Sequence, residues 1–145
     1  MPRSDEISAD IEARLQMIRP SKGFYTDLKA VCDEDAPGDG AGLPVALLTW
    51  GEDETKDKAM SKVTRLRSFV IEGVFPRRAK RIELERFHFD VLRALGWGGG
   101  EFDRKIRGQL LSDSAEIPRQ EPGAKVRLIT ITVLAQYTED YSISP

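Results

Sequence analysis

The sequence predicts an α+β fold: an antiparallel β-sheet with two helices packed on one face, in the order α-β-β-β-α-β-β. Three observations carry that expectation. From Val126 to Tyr137 the residues alternate strictly, with Arg127, Ile129, Ile131, Val133, Ala135 and Tyr137 on one side and Val126, Leu128, Thr130, Thr132, Leu134 and Gln136 on the other. Period two in a run rich in Ile, Val and Thr is a strand signal, and two apolar or threonine faces suit a central strand covered on one side by helices. Two other segments carry their apolar residues at helical spacing. The remaining apolar runs lie close enough in sequence to pair as hairpins, which favours two layers, helices on an antiparallel sheet.

Taken in order, Ser4 is placed to cap a first helix whose Ile7, Ile11, Leu15 and Ile18 form one stripe, closed by Pro20 and Gly23. Residues 24–33 alternate, with Phe24, Thr26, Leu28, Ala30 and Cys32 on one side, and read as a first strand. EDAPGDGAG is loop by composition. LPVALLTW is a short apolar run whose Pro44 is tolerable only near its start. GEDETKDKAMS reads as a charged turn, and KVTRLRSFVIEGVF as a long strand that would pair with LPVALLTW in a hairpin with an extended tip. Residues 33–42 and 51–61 have few apolar anchors and are expected to be mobile. Pro76 suits the first position of a second helix. Its stripe is Leu84, Phe87, Val91, Leu92 and Leu95, with Gly96 as the left-handed stop. WGGGEFD reads as a linker. IRGQLLSDSAEIPR reads as a strand that Pro118 bends or places at an edge, and QEPGA as a turn with Pro and Gly placed for type II geometry.

At 145 residues the chain is expected to make a single domain, 1–145, burying roughly 70% of its unfolded surface. The formal charge of −2 argues against wholesale electrostatic binding of nucleic acid. No apolar run approaches the roughly 20 residues that span a bilayer, so no membrane partner is expected. The polar, acidic start MPRSDEISAD reads as neither a signal nor a transit peptide. Cys32 is the single cysteine, which excludes an internal disulfide and a multi-cysteine zinc site and suits a reducing, intracellular setting.

The chemistry of catalysis finds few places to start. His88 is the only histidine, so a Ser-His-Asp or Cys-His mechanism or a histidine metal site would depend on it. It sits between Phe87 and Phe89 and reads as a boundary histidine on a packed helix. DEDAPGDG resembles a calcium loop until Pro37 and Pro44 stand where oxygen ligands are required. Glu54 and Lys56 could be forced into a carboxylate-x-lysine nuclease pattern, but they fall at the charged turn. GWGGG lacks the spacing and the lysine of a phosphate-binding loop. No catalytic, metal-binding or cofactor-binding residue is therefore assigned, and no enzyme activity is expected.

RRAKR is the surface feature that resists a bland account. Arg77, Arg78, Lys80 and Arg81 would occupy the first turns of the second helix, where the dipole favours acids and each cation costs about 0.3–1 kcal/mol. Lys80 with Glu83 and Arg81 with Glu85 would recover part of that. The four are assigned as a candidate docking patch for an acidic protein partner. A solvated face is the plain alternative.

The chain resembles the tail terminator proteins of long-tailed phages, the minor tail protein U class, over nearly its whole length. The likeness rests on IEARLQMIRPSKGFYTDLKAV, LPVALLTWGEDE, the passage FVIEGVF to ELERFHFDVLRAL, and EIPRQEPGAKVRLITITVLAQYTED. The loop DEDAPGDGAG and the linker GWGGGEF have no place in the family pattern. The resemblance implies a virion tail protein, assembled in the bacterial host cytoplasm, that forms a homo-oligomeric ring, six copies being the expected number. The ring would cap the tail tube, contacting the tube protein on one side and the head-tail connector on the other. A connector or neck protein of the same virion would share these features. A nucleic-acid-binding or nuclease module, resting on Lys62, Arg65, Arg67 and RRAKR, is the reading from a different class. The cations lack the interleaved aromatic residues of a single-strand platform, so no specific nucleic-acid binding is expected.

Overall fold

The computed structural model describes residues 2–32, 42–97 and 108–142. Helix α1 spans Arg3–Leu15 and a one-turn 3-10 helix spans Pro20–Lys22; strands β1, β2 and β3 are Ala30–Cys32, Val45–Ala59 and Lys62–Pro76. Helix α2 is Arg81–Ala94, followed by β4, Gln109–Glu116, and β5, Val126–Asp140. The strands form one sheet in the order β1-β2-β3-β5-β4. The element order and the α+β class match the sequence reading. The sheet departs from it in being mixed: β1 runs parallel to β2, while the other three pairings are antiparallel.

The register explains why the helices share a face. Phe69 stands opposite Val133, Ile71 opposite Ile131 and Gly73 opposite Ile129, and all six residues are buried. On this face α1 sets Ile7, Ile11 and Leu15, each fully buried, and α2 sets Leu84, Phe87 and Val91. Gly73 is where α2 comes closest. A Cβ there would stand 2.6 Å from Phe87 and 2.9 Å from Ile129, so only glycine admits the Phe87 ring. That ring packs edge-on to Phe75, 5.5 Å between centroids. On the opposite face Leu47, Thr49, Val70, Leu128, Thr130, Thr132 and Leu134 are partly exposed.

Four sequence expectations need correction. The alternating segment after Gly23 is extended, with Phe24, Thr26 and Leu28 buried, yet it becomes a strand only at Ala30. Its amides are taken elsewhere: Tyr25 and Thr26 donate to the Asp90 carboxyl at 3.2 and 2.7 Å, and Leu28 donates to the Ile18 carbonyl at 3.0 Å. Ser4 does not cap α1; it lies inside the helix, and the Glu139 carboxyl accepts the N–H groups of Arg3 and Ser4 at 2.9 and 3.1 Å. Residues 51–59, expected as a mobile charged turn, continue β2 to Ala59, and the turn is only Met60–Ser61. Two bulges, between Trp50 and Asp53 and between Thr55 and Asp57, break the alternation by which a strand is recognised.

The fourth correction concerns Pro76. It ends β3, opposite Val126, instead of opening the helix. Its carbonyl accepts from Ala79 N–H at 2.9 Å in a turn, and α2 begins after Lys80, whose N–H donates to the Glu83 carboxyl at 2.5 Å. The α2 stripe is as read, with Leu92 only partly buried, and Gly96 ends it at φ 99. Gly123 at φ 82 and the Ala124 N–H bond to the Glu121 carbonyl realise the Pro-Gly turn. Strand β4 stops at Glu116, before Pro118. Most of the acidic loop (residues 33–41, where mobility was expected), the linker from residue 98 and the first two residues of the IRGQLLSDSAEIPR strand reading lie outside the described residues.

Candidate functional site

The basic stretch is a turn, not a helix start. Arg77 and Arg78 lie in the connection between β3 and α2, Lys80 precedes the helix, and only Arg81 is helical. The dipole penalty argued from sequence therefore falls away for Arg77 and Arg78. Arg81 meets Glu85 at 3.6 Å, as the spacing predicts, and Glu83 is committed to the Lys80 backbone. Arg77, Arg78 and Lys80 are exposed, and among the described residues the guanidinium groups of Arg77 and Arg78 form no ion pair. The turn preceding β5 stands beside them: Gln120 Nε2 donates to the Arg77 carbonyl at 3.3 Å. Arg119 and Lys125 in that connection add charge of the same sign, making this end of the sheet basic.

Behind the basic turn opens a groove of about 530 Å³ between α2 and the extended segment after Gly23. Leu43, Pro44, Phe75 and Pro76 supply apolar walls, and Arg78, Lys80 and Arg86 stand on its rim with Tyr25 and the acids Asp27 and Glu83. Asp90, fully buried on α2, fixes Tyr25 through its backbone bonds. The Arg86 guanidinium lies 5.2 Å from the centre of the Tyr25 ring, and the Phe89 ring lies 6.0 Å from the same ring. Tyr25 and Phe89 are 61% and 52% exposed. Exposed aromatic rings beside arginines are the composition that protein interfaces favour. This surface was not found in the sequence, because Tyr25 and Phe89 lie far apart in the chain.

A second charged cluster is closed upon itself. The Asp53 carboxyl accepts from Arg65 Nε at 2.5 Å, Arg67 Nε at 2.6 Å and the Tyr137 hydroxyl at 2.5 Å. The Arg67 guanidinium also lies 4.2 Å from the Trp50 ring centre. Burial pushes the Asp53 carboxyl up, but the hydrogen bonds from Tyr137, Arg67 and Arg65 outweigh it and hold the carboxyl below the ordinary aspartate range. Burial, then the bond to Asp53, pushes the Tyr137 phenol well above its ordinary value. Arg65 and Arg67, on which the nucleic-acid reading partly rested, are thus already paired. They also lie roughly 30–36 Å along β3 from Pro76, where the basic turn begins.

His88 Nε2 and Asp113 Oδ2 stand 2.8 Å apart, tying α2 to β4. Cys32 lies on β1, four strand spacings or roughly 19 Å across the sheet from β4, where Asp113 holds His88, so no Cys-His pair forms. Glu54 and Lys56 both lie in β2, and Lys56 Nζ donates to Gln136 at 2.7 Å. Among the described residues no three His, Cys, Asp or Glu side chains stand together as metal ligands. No helix of these residues is long and apolar enough to cross a membrane.

The fold is similar to that of a chain in the virion of a native gene transfer agent particle. The TM-score is 0.56 at 18% identity, covering 94% of this chain and 96% of that one. At that identity the likeness is one of fold. No protein-family model matches the chain, and no curated protein matches it.

Proposed function

We propose that this chain is a structural virion protein: a single tail-terminator-like domain that forms a ring capping a phage tail tube. The ring ends tube polymerisation and joins tail to head, without bond-making chemistry. The observation that carries the reading is the likeness of fold to a virion chain along almost the whole of both chains, which agrees with the sequence resemblance. The mechanism is steric. One face of the ring complements the last tube ring, and the other offers no site for another tube subunit. Subunit contacts that close on themselves end growth, whereas open ones continue a filament. Six copies match the symmetry that the resemblance implies.

In this reading Arg77, Arg78, Lys80 and Arg81 face an acidic surface on a neighbouring subunit or an adjoining tail or head protein. Arg77 and Arg78, exposed and without an ion pair among the described residues, beside a groove rimmed by Tyr25, support that role. Charge complementarity there speeds docking and fixes register more than it raises affinity. The test combines light scattering at rising concentration with tail completion in a terminator-deficient assembly mixture. The expected result is a species near six subunits and restored tails of uniform length. A chain that stays monomeric at millimolar concentration, and also with purified tube protein, overturns the reading. A connector or neck protein is the second reading, and cofractionation with tails that lack heads separates the two.

A further inference from the structure

The β2–β3 hairpin tip and the groove beside the basic turn stand at opposite ends of the β3–β5 ladder. Lys62 pairs with Asp140 at one end and Pro76 with Val126 at the other, which separates them by roughly 45 Å. A tip cannot reach its own groove. Met60 crowns the tip, 94% exposed and at φ 58, where a two-residue hairpin ordinarily places Gly, Asn or Asp. A large apolar side chain in a left-handed, fully solvated position serves neither the turn nor the core. Tyr141, 55% exposed, stands beside it through its N–H bond to the Ser61 carbonyl at 2.8 Å.

The two ends are opposite in charge. Around the tip stand Asp57, Glu139 and Asp140, joined by Asp5 and Glu6 from the start of α1, against Lys56, Lys58, Lys62 and Arg3, which leaves one net negative charge. The groove end carries Arg77, Arg78, Lys80, Arg86, Arg119 and Lys125 against Asp27, Glu83 and Glu121. The groove, about 530 Å³, is walled by Leu43, Pro44, Phe75 and Pro76.

We propose that the Met60 tip of one copy seats in the groove of the next, a head-to-tail contact between copies of this chain. The proposal rests on the ring reading and names the contact that builds the ring. Methionine is a flexible apolar anchor that packs favourably against aromatic rings, here Phe75 and Tyr25. Asp57 and Asp140 then face the Arg78, Lys80 and Arg86 rim. Each copy offers one tip and one groove, so the contact is heterologous and closes if its rotation does.

The test measures thermal unfolding and assembled mass together on wild type, Met60→Gly, Met60→Lys, and the double variant Arg78→Glu with Arg86→Glu. Met60→Gly relieves the left-handed strain, so its monomer melts no lower than wild type while its association weakens at least about tenfold. Met60→Lys alone sets a cation against a basic rim. The rim variant alone sets acids against acids. Neither assembles, and an equimolar mixture of the two restores the wild-type particle in alternating order. If Met60→Gly and the rim variant assemble as wild type does, the contact is wrong and the ring reading stands. Variants that form rings but no longer retain tube protein give the tip a different occupant and also overturn the proposal. A wild type that never assembles overturns the ring reading itself.

Discussion

Asp53 is the acceptor on which Arg65, Arg67 and Tyr137 converge, and its removal leaves two guanidinium groups adjacent with no counter-charge. The Asp53 side chain is only 8% exposed and that of Arg67 14%, so solvent screens the loss poorly. Asp53→Ala is expected to cost about 2 kcal/mol in urea unfolding. The pH dependence follows from the shifts. The Asp53 carboxyl is lowered in the fold, so its contribution is complete above the ordinary aspartate value near about 4 and is lost as pH falls through the lower folded value. The Tyr137 phenol is raised, so its contribution is complete below about 10 and is lost as pH rises through the folded value. Melting temperatures measured from acid to alkaline pH should therefore show a plateau between two declining limbs, and Asp53→Asn should flatten the acid limb. At Gly73 a methyl group has no room beneath Phe87. Gly73→Ala is expected to destabilise by about 1–3 kcal/mol, and adding Phe87→Leu should recover part of that loss.

Among the elements, α1 depends on a residue more than one hundred positions away. With Pro2 as its N-cap and no side-chain cap of its own, the helix start is satisfied by Glu139. Glu139→Ala is expected to lower stability by about 1 kcal/mol and to speed amide exchange at Arg3 and Ser4. Asp90→Ala should release the segment at Tyr25 and Thr26, costing about 1–3 kcal/mol, with the same two amides losing protection. Local signals were enough to read α2, the hairpin and the closing strand: a stripe with Gly96 at its end, two apolar runs in pairing distance, twelve alternating residues before Thr138. Signals that depend on distant partners were not. Residues 24–29 alternate like a strand, but Asp90 and Ile18 take amides that a strand partner would have taken. Residues 51–59 look like a charged turn because an exposed edge strand tolerates charge, and because cross-strand partners such as Arg65 for Asp53 lie outside the local window. Pro76 fits the first position of a helix and equally the last position of a strand, and the pairing with Val126 decides between them. The basic patch was legible by composition, while the groove and the Tyr25–Phe89 contact needed the fold.

At the scale of the whole molecule, the sheet carries a basic end and a more acidic end, with the helices lying between. That polarity makes assembly sensitive to ionic strength. Raising salt from about 50 to 500 mM shortens the Debye length from roughly 14 to 4 Å, and the association rate should fall while monomer melting stays nearly constant. Arg77→Glu with Arg78→Glu should leave the fold intact, since neither side chain is ion-paired among the described residues, and should impair ring formation or tail completion. Unfolding and assembly measured on one preparation check this; normal assembly with wild-type salt dependence reduces the patch to a solvated face. The bond from Arg3 to Glu139 also bears on the order in which the chain is made. A ribosome delivers Arg3 first and Glu139 136 residues later, so α1 emerges long before the carboxyl that caps it exists. Its apolar stripe must likewise wait for β5. Early in synthesis α1 is therefore a short, uncapped amphipathic segment below the length at which isolated helices persist in water. Folding should be completed only after β5 has left the exit tunnel, which protects the nascent chain from premature pairing of its assembly surfaces while it remains tethered. Stalled ribosome-bound chains ending before residue 126 should accordingly be cut by protease throughout, whereas chains extended by a linker beyond residue 145 should resist.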